Sequence, residues 1–230
     1  MPLYQLGTEL RFPKPSLALE DPNGLLAIGG DLSAQRLILA YNNGIFPWYE
    51  EGQEILWWSP EPRFGQQCAN IMPSRSMAKL MRKTQLHVTL NMAFSDVVHQ
   101  CAAERDETGT WITQDMQKAY QALHKLGHAH SVEVWQNTEL VGGFYGIAVG
   151  QMFCGESMFH RVSNASKLAY FVFSKHFENH KGQYIDGQME NPHLRSLGMQ
   201  IKPRTEYLKL LKQLKAQEVD KSTWQAQRLL

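Results

Sequence analysis

The segment from Leu140 to Gln188 constrains the fold of this chain more than any other part of the sequence. Two apolar stretches, LVGGFYGIAVG and QMFCG, have the composition of buried strands, and an apolar helical segment then leads to YIDGQ. Glycines interrupt the two stretches at positions 142, 143, 146, 150 and 155. Because glycine weakens a strand, this pattern is typical either of bulges or of a ligand that approaches the backbone closely. It predicts two buried strands that end at Glu156, then a short strand that carries Asp186 and Gln188.

The order of predicted elements after about residue 75 favours an α+β fold. The sequence predicts a basic helix from Ser74, a strand at LHVTL, helices at 94–103 and from Thr113 to Gly127, strands at HSVEVW, ELVGGFYG and QMFCG, a helix from Ser163 or Asn164 through Lys175, the YID strand, and helices at 191–196 and 205–215. This order indicates a mixed, mostly antiparallel sheet flanked by helices. It is the layout of N-acetyltransferase-like folds.

Residues 1–62 differ from the rest of the chain, since they are rich in Pro, Gly and Trp and read mainly as turns and short extended pieces. One helix is predicted between Ser33 and Gly44. Three tryptophans, Trp48, Trp57 and Trp58, follow within eleven positions. Such a cluster is either the core of a small domain or a stacking wall for a ligand. We therefore predict a small domain at 1–62 and a larger one at 63–230.

The composition narrows the class of protein. The chain has 230 residues, 43% hydrophobic and 20% charged, with a net charge of +1, so a nucleic-acid partner requires a local basic patch. Cys68, Cys101 and Cys154 are odd in number and form no CxxC pair, as expected of reduced structural thiols. The sequence has neither the apolar run of a signal peptide nor a stretch of about 18 apolar residues. We expect a soluble, cytoplasmic protein.

The histidines do not form a convincing metal site. His124, His128 and His130 are close in sequence, but Gly127 is a helix stop between the first two, and no Cys or carboxylate cluster completes a ligand set. The chain also lacks the GxxxxGK[ST], GxSxG and GxGxxG motifs of phosphate cradles, serine hydrolases and dinucleotide sites. We expect no metal and no nucleotide cofactor.

The helix SRSMAKLMRK carries the densest positive patch in the sequence. Its apolar residues would face the protein, leaving four cations toward solvent: Arg75, Lys79, Arg82 and Lys83. The patch is either an ordinary solvated helix face or a contact for a phosphate backbone.

Asp186 and Gln188 are two residues apart, so an extended strand would project both side chains to one face. A carboxylate beside a carboxamide can orient the amide and strengthen its oxygen as an acceptor, which suits the proton of a nucleophilic amine. Taken alone, the same pattern is also typical of a surface turn.

Seven longer motifs occur in a fixed order: DPNGLLAIGGDLS, GIFPWY, ILWWSPEPR, GTWI, AHSVEVW, ELVGGFYG and FCGESMF. With them the sequence resembles the bacterial leucyl/phenylalanyl-tRNA–protein transferases over nearly the whole chain, to about residue 210. The resemblance implies transfer of Leu or Phe, and less well Met, from aminoacyl-tRNA to the N-terminal Arg or Lys of a protein, which marks it for N-degron proteolysis. It also implies an N-acetyltransferase-like domain behind a small N-terminal one. We expect a monomer that needs no cofactor.

The resemblance also implies roles for individual residues. Asp186 would orient Gln188, which would accept the proton of the acceptor amine, while Glu156 would pair with an acceptor cation or hold a substrate amine. The pocket for the transferred side chain would consist of Phe144, Met152, Phe153, Phe173, Phe177 and Ile185. The terminal adenosine would face Trp48, Trp111 and Tyr120. The tRNA would contact Arg75, Lys79, Arg82 and Lys83.

The sequence departs from the family pattern at four positions, Ala78, Phe144, His160 and Gly187, which bear on pocket size and tRNA affinity. Two other functions compete with the transferase. An acetyl-CoA N-acetyltransferase would need a [QR]xxGx[GA] loop, and none occurs between Gly155 and Ser166. A non-catalytic RNA-binding module would use the basic helix and the tryptophans alone.

Overall fold

The structure is a computed structural model that describes residues 3–104 and 111–230. Its first sheet, built from residues 4–58, has four described strands in the order β1-β2-β4-β3: β1 (Tyr4–Leu6), β2 (Leu25–Gly29), β3 (Phe46–Pro47) and β4 (Leu56–Trp58). β1 pairs with β2 in parallel, and the other pairs are antiparallel. Helix α1 (Ala34–Tyr41) connects β2 to β3.

The second sheet has eight strands among the described residues, in the order β11-β5-β10-β9-β8-β7-β6-β12. They are β5 (Arg63–Gln67), β6 (His87–Leu90), β7 (Ala129–Gln136), β8 (Glu139–Val149), β9 (Met152–His160), β10 (Tyr184–Gln188), β11 (Gln200–Lys202) and β12 (Gln227–Arg228). β9 and β10 pair in parallel, and every other pair is antiparallel. The predicted α+β fold with a mixed, mostly antiparallel sheet is confirmed.

The helices follow the sequence signals closely. After α1 come α2 (Arg75–Lys83), α3 (Phe94–Ala103), α4 (Gln114–Lys125), α5 (Ala165–Asn179), α6 (Pro192–Ser196) and α7 (Arg204–Leu214). Side chains of Ser33, Ser74 and Thr113 accept hydrogen bonds from backbone N–H groups at the starts of α1, α2 and α4, as expected of N-caps. None of the helices in the described ranges combines the length and hydrophobicity needed to cross a bilayer.

Three predictions of local structure need correction. β5 was not predicted, because its sequence RFGQQ has little apolar alternation. β9 continues to His160, so Glu156 lies in the middle of a strand and not at its end. Asn164 occupies the N-cap position of α5, but its side chain forms no cap hydrogen bond, and the helix continues past Lys175 to Asn179. The polar loop predicted before Trp111 falls on residues 105–110, outside the described part of the chain.

Hydrophobic contacts connect the two sheets. One buried cluster combines residues of the first sheet, among them Trp57 and Phe46, with residues of α3, α4, β8 and α7. A second cluster lies where α5 packs on the larger sheet. Trp57 is fully buried and its Nε1 donates to the Gly29 carbonyl oxygen at 2.9 Å. The first sheet is therefore bound to the rest of the protein through apolar side chains.

The C-terminal segment covers the second cluster. The Trp224 ring stacks on His130 with centroids 3.9 Å apart, and it lies 5.6–6.1 Å from the rings of Phe153, Phe173 and Phe177. The strand β12 then pairs with β6 at the sheet edge. Residues beyond α7 thus complete the core of the larger sheet.

Truncation of Trp224 tests this role. We expect Trp224→Ala to lower the free energy of unfolding by about 3 kcal/mol, because removal of the ring takes one packing partner from three phenylalanines and a histidine. Urea denaturation measures the change. Met72→Ala, at an exposed methionine, is the matched control and should change the free energy by less than about 0.5 kcal/mol. An equal effect of both substitutions would contradict the proposed role of the segment.

Candidate functional site

A cavity of about 510 Å³ opens where β9 and β10 separate. The two strands pair in parallel from Tyr184 and Met152 as far as Asp186 and Cys154. Beyond that point β9 and β10 no longer pair with each other. Their residues line the cavity there, including Glu156 from β9 and Gln188 from β10. Residues of α5, α6 and the first sheet complete its walls. The parting of two neighbouring strands therefore creates the space for a ligand.

Bulges set the direction of the polar side chains at this point. Between β8 and β9 the register shifts so that Glu156 has no partner across the strand pair. Between β10 and β5 a second shift leaves Gly187 unpaired, and Gln188 has a positive φ of 63°. A bulge interrupts the alternation of faces and re-aims the adjacent side chain. A Cβ on Gly187 would lie 2.6 Å from Met199 Sδ, so a larger residue there would require the flexible Met199 side chain to shift.

Four side chains form a hydrogen-bonded chain that ends in the cavity. Gln188 Nε2 donates to Glu156 Oε1 at 2.6 Å, and the Tyr120 hydroxyl donates to Glu156 Oε2 at 2.7 Å. The Tyr41 and Tyr120 hydroxyls are 2.7 Å apart, and this hydrogen bond extends the chain to α1. Since its NH₂ group is held by Glu156, the Gln188 amide keeps its oxygen as the acceptor for a ligand.

A second network fixes the backbone at Gln188. Asp186 is fully buried and forms an ion pair with Arg63, whose Nη2 lies 2.7 Å from Oδ2 and whose Nε lies 2.9 Å from Oδ1. The Tyr207 hydroxyl donates to Oδ2 at 2.8 Å, and the backbone N–H of Gln188 donates to Oδ1 at 2.9 Å. Both carboxylate oxygens are thus occupied, which makes Asp186 a structural anchor.

The expected contact between the Asp186 carboxylate and the Gln188 carboxamide is therefore wrong. Asp186 accepts the backbone N–H of Gln188, and Glu156 holds the carboxamide. The physical reason is the bulge at Gly187, which breaks the same-face relationship that a regular strand would give the two side chains.

Burial controls the ionisation of the groups around the cavity. It raises the pKa of Glu156 to about 7, although hydrogen bonds from Tyr120, Tyr41 and Gln188 act in the opposite direction. Burial and the charge of Glu156 raise the pKa of the Tyr120 hydroxyl well above its usual value. Burial likewise raises the pKa of the Cys154 thiol, which makes it a poor nucleophile.

The six residues predicted for the side-chain pocket divide between the cavity lining and the core. Phe144, Phe153 and Ile185 line the cavity. Met152, Phe173 and Phe177 do not; they are fully buried behind it, where Phe173 and Phe177 pack against Phe153 and Trp224. Sequence reasoning missed further apolar lining residues: Met158, Phe159, Tyr170, Leu194 and Met199. A helical or strand period in the sequence indicates burial but does not distinguish a cavity wall from a packed core.

The tryptophans divide between the core and the cavity. Trp57 and Trp58 are buried, whereas Trp48 is 38% exposed and lines the cavity together with Trp111. Tyr120, predicted beside them, does not line it: its ring is completely enclosed and cannot stack on a ligand base. Its hydroxyl holds Glu156 instead.

The basic helix α2 has the orientation that its sequence predicts. Met77 is buried, and the side chains of Arg75, Lys79, Arg82 and Lys83 are exposed. None of these four forms an ion pair with another residue in the described ranges. Their positive charge is therefore available to an anionic partner.

The histidines and cysteines pack within the fold. His124 Nδ1 lies 2.8 Å from the Ala129 carbonyl oxygen and its ring stacks on Phe94, while His130 stacks on Trp224. The three cysteines are buried and free. Within residues 3–104 and 111–230, no three His, Cys, Asp or Glu side chains come together as metal ligands.

Comparisons with known proteins agree along the chain. The model of the family described as leucyl/phenylalanyl-tRNA protein transferase matches residues 67–212, and the model of that family's N-terminal domain matches residues 30–61. A leucyl/phenylalanyl-tRNA–protein transferase of Erwinia tasmaniensis is 53% identical over 230 residues, with the whole of both chains covered. One from Tolumonas auensis is 51% identical over 226 residues, which is 98% of this chain and 97% of the relative.

Solved structures give weaker likenesses. A conserved protein of unknown function from Bacteroides thetaiotaomicron has a TM-score of 0.44 at 11% identity, covering 59% of this chain and 53% of its own. A functionally unknown conserved protein from Staphylococcus epidermidis has a TM-score of 0.41 at 9% identity, covering 78% and 68%. Scores this low carry no argument about function.

The raised pKa of Glu156 makes stability depend on pH. Between its unfolded pKa, near 4.5, and its folded pKa, about 7, the folded protein retains a proton that the unfolded chain has released. Raising the pH through this window therefore destabilises the fold, by about 1–3 kcal/mol for a carboxyl group partly open to the cavity. Glu156→Gln removes the titration, so the variant should gain stability relative to the wild type between pH 5 and pH 8.

Urea denaturation at the two pH values measures that difference. Glu139→Gln, at an exposed glutamate, is the control, and its stability relative to the wild type should stay constant. A Glu156→Gln curve that runs parallel to the wild type across the window would show that the carboxyl group is ionised in the folded protein at both pH values.

Proposed function

The chain belongs to the leucyl/phenylalanyl-tRNA–protein transferase family, and on that premise we propose that it transfers Leu or Phe from aminoacyl-tRNA to the N-terminal Arg or Lys of acceptor proteins. Its family makes it an aminoacyltransferase. We further propose Met as a poorer donor residue, N-degron proteolysis as the fate of the product, and action in the cytoplasm as a monomer without a cofactor. The observation that carries the proposal is the cavity in which the Gln188 carboxamide borders an apolar wall.

The reaction forms one amide bond and breaks one ester bond. The α-amino nitrogen of the acceptor attacks the ester carbonyl, the bond to the ribose oxygen of the terminal adenosine breaks, and the amine proton passes to that oxygen. An α-amino group has a pKa of about 7.7–8.0, so a sizeable fraction is neutral near pH 7. The ester is already activated. The protein therefore has mainly to hold two substrates in register, an effect that can supply about 7–11 kcal/mol.

Gln188 is the residue proposed to touch the amine. Its carboxamide oxygen accepts a hydrogen bond from the α-amino group, which directs the nitrogen lone pair at the ester. A carboxamide is too weak a base to keep a proton, so the residue positions the amine rather than deprotonating it. Glu156 and Asp186 are positioning residues in this proposal: the first holds the amide NH₂ group, and the second holds the backbone N–H.

The apolar wall would bind the transferred side chain. Phe144, Phe153 and Ile185 line the cavity near the polar groups, and the two phenylalanine rings meet edge to face with centroids 6.0 Å apart. Such a wall favours Leu and Phe through burial alone. An apolar pocket separates side chains that differ by one methylene by only about 1–3 kcal/mol, which accounts for leakage to Met.

Trp48 and Trp111 are the proposed contacts of the terminal adenosine. Both line the cavity, and Trp48 is anchored by its neighbour Trp58, whose Nε1 donates to the Trp48 carbonyl oxygen at 2.7 Å. Stacking of a base on an aromatic side chain is worth about 1–3 kcal/mol. In this arrangement a small domain, residues 1–62, supplies one tryptophan to the site of an N-acetyltransferase-like domain, residues 63–230.

A transfer assay with labelled Leu-tRNA and a peptide that begins with Arg tests the proposal. We expect the wild type to form the leucyl peptide, and Gln188→Ala to lower kcat by about 10²-fold with tRNA binding retained, because the amine loses its acceptor. Gln85→Ala, at an exposed glutamine, is the matched control and should act at the wild-type rate. Wild-type turnover by Gln188→Ala would remove Gln188 from the mechanism.

The same assay distinguishes the other functions. Acetyl transfer from acetyl-CoA to the peptide would identify an N-acetyltransferase. Binding of tRNA without any transfer would identify a non-catalytic RNA-binding module.

The proposed tRNA contact of α2 predicts a specific dependence on salt. Removal of one lysine–phosphate interaction should reduce the slope of log K against log salt concentration by about 0.7–0.9. We expect that reduction for Lys79→Gln, measured by tRNA binding across a series of salt concentrations. Lys118→Gln removes an exposed lysine of α4 and should leave the slope unchanged. Equal slopes for the two variants would place the tRNA backbone elsewhere.

A further inference from the structure

Two basic side chains that the proposed chemistry does not use line the cavity, and a third lies close to them. His160, at the end of β9, and His193, in α6, line the cavity. Lys167 does not line the cavity itself; it follows the lining residue Ser166 in α5, and its charge is close enough to His193 to act on the pKa of that ring. The Nε2 atom of His193 is buried and has no hydrogen-bond partner in the described structure. A buried polar atom without a partner is destabilising, so a further group that bonds to this ring nitrogen would stabilise the site.

The charge of Lys167 is available to a ligand. Lys167 is half-buried, and within the described ranges it takes part in no ion pair. The acid nearest to His193 in sequence, Glu190, is paired with Arg195. Burial, together with the positive charges of Lys167 and His160, lowers the pKa of His193. A neutral imidazole ring still offers one N–H as a donor.

These groups suit an anion with several oxygen acceptors. An ammonium group and ring N–H donors give short, charge-assisted hydrogen bonds to phosphate oxygens. The start of α5 adds positive potential, because the Asn164 side chain does not cap its first turn. A phosphate bound beside these basic groups would therefore contact both positive charge and hydrogen-bond donors.

Under the proposed function, the ligand that enters the cavity is the 3′ end of a tRNA. Its terminal adenosine is joined to the preceding nucleotide by a phosphodiester, which must lie close to any site that holds the ester. We propose that His160, Lys167 and His193 bind this phosphodiester. The inference rests on the proposed function and adds a second phosphate contact, separate from α2, that positions the reacting end of the tRNA rather than its body.

Two minimal donors isolate the phosphodiester. Leucyl-adenosine lacks it, and the leucyl ester of the dinucleotide CpA contains one. His160→Ser and Lys167→Met should each raise the KM for leucyl-CpA by about tenfold, the usual worth of one charge-assisted hydrogen bond, and leave the KM for leucyl-adenosine unchanged. His99→Ser and Lys175→Met make the same chemical changes at exposed positions and should alter neither value.

The outcomes distinguish failure of the phosphodiester site from failure of the proposed function. Three results would overturn the phosphodiester site while transfer itself continues. They are an equal change of KM for both donors, no change of KM for either donor, and a change confined to the KM for the acceptor peptide. Failure of the wild type to transfer from any donor, Leu-tRNA included, would overturn the proposed function. Melting curves establish that each variant is folded, and if Lys167→Met is not, the exposed His160→Ser variant decides.

Discussion

The buried ion pair of Arg63 and Asp186 is the interaction on which the arrangement of the site depends. Removing two charges from water is expensive, and such a pair is stable only when the remaining donors and acceptors are also satisfied. Here Arg63 Nη1 donates to the Gly44 carbonyl oxygen at 3.2 Å, and the guanidinium lies over the rings of Phe46 and Tyr207 at 4.9 and 4.6 Å. The pair thereby connects the first sheet, β5, β10 and α7. Its carboxylate also accepts the Tyr207 hydroxyl and the backbone N–H of Gln188.

The hydrogen-bonded tyrosines provide a second, independent support. Tyr41 comes from α1 and Tyr120 from α4, yet both act on Glu156 in β9, which in turn holds the Gln188 amide. One network therefore fixes the backbone of Gln188 and the other fixes its side chain. A site that acts by holding substrates in register needs both contacts, because the position of Gln188 must stay fixed when the substrates bind.

Sequence reasoning was strongest where a signal is local. Caps at Ser33, Ser74 and Thr113 defined the starts of α1, α2 and α4 almost to the residue, and the alternating strands around Asn137 defined the β7–β8 hairpin. It failed where a feature belongs to two strands at once. The bulges at Glu156 and Gly187 exist only in the pairing with neighbouring strands, so the sequence could identify Glu156 and Gln188 but not their contact. Tyr120 and Phe173 are aromatic residues of the expected type near the site, and only packing shows that they lie behind its surface.

The bulge at Glu156 also determines which changes the chain can tolerate over evolution. A substitution alters one side chain, but deletion of Glu156 would close the bulge and remove the carboxyl group from the cavity. An uncompensated deletion or insertion elsewhere in β9 would turn the following side chains to the opposite face. Length variation should therefore be confined to turns outside β8, β9 and β10. Recombination between distant homologues should succeed only when its junctions preserve the residue count across these three strands.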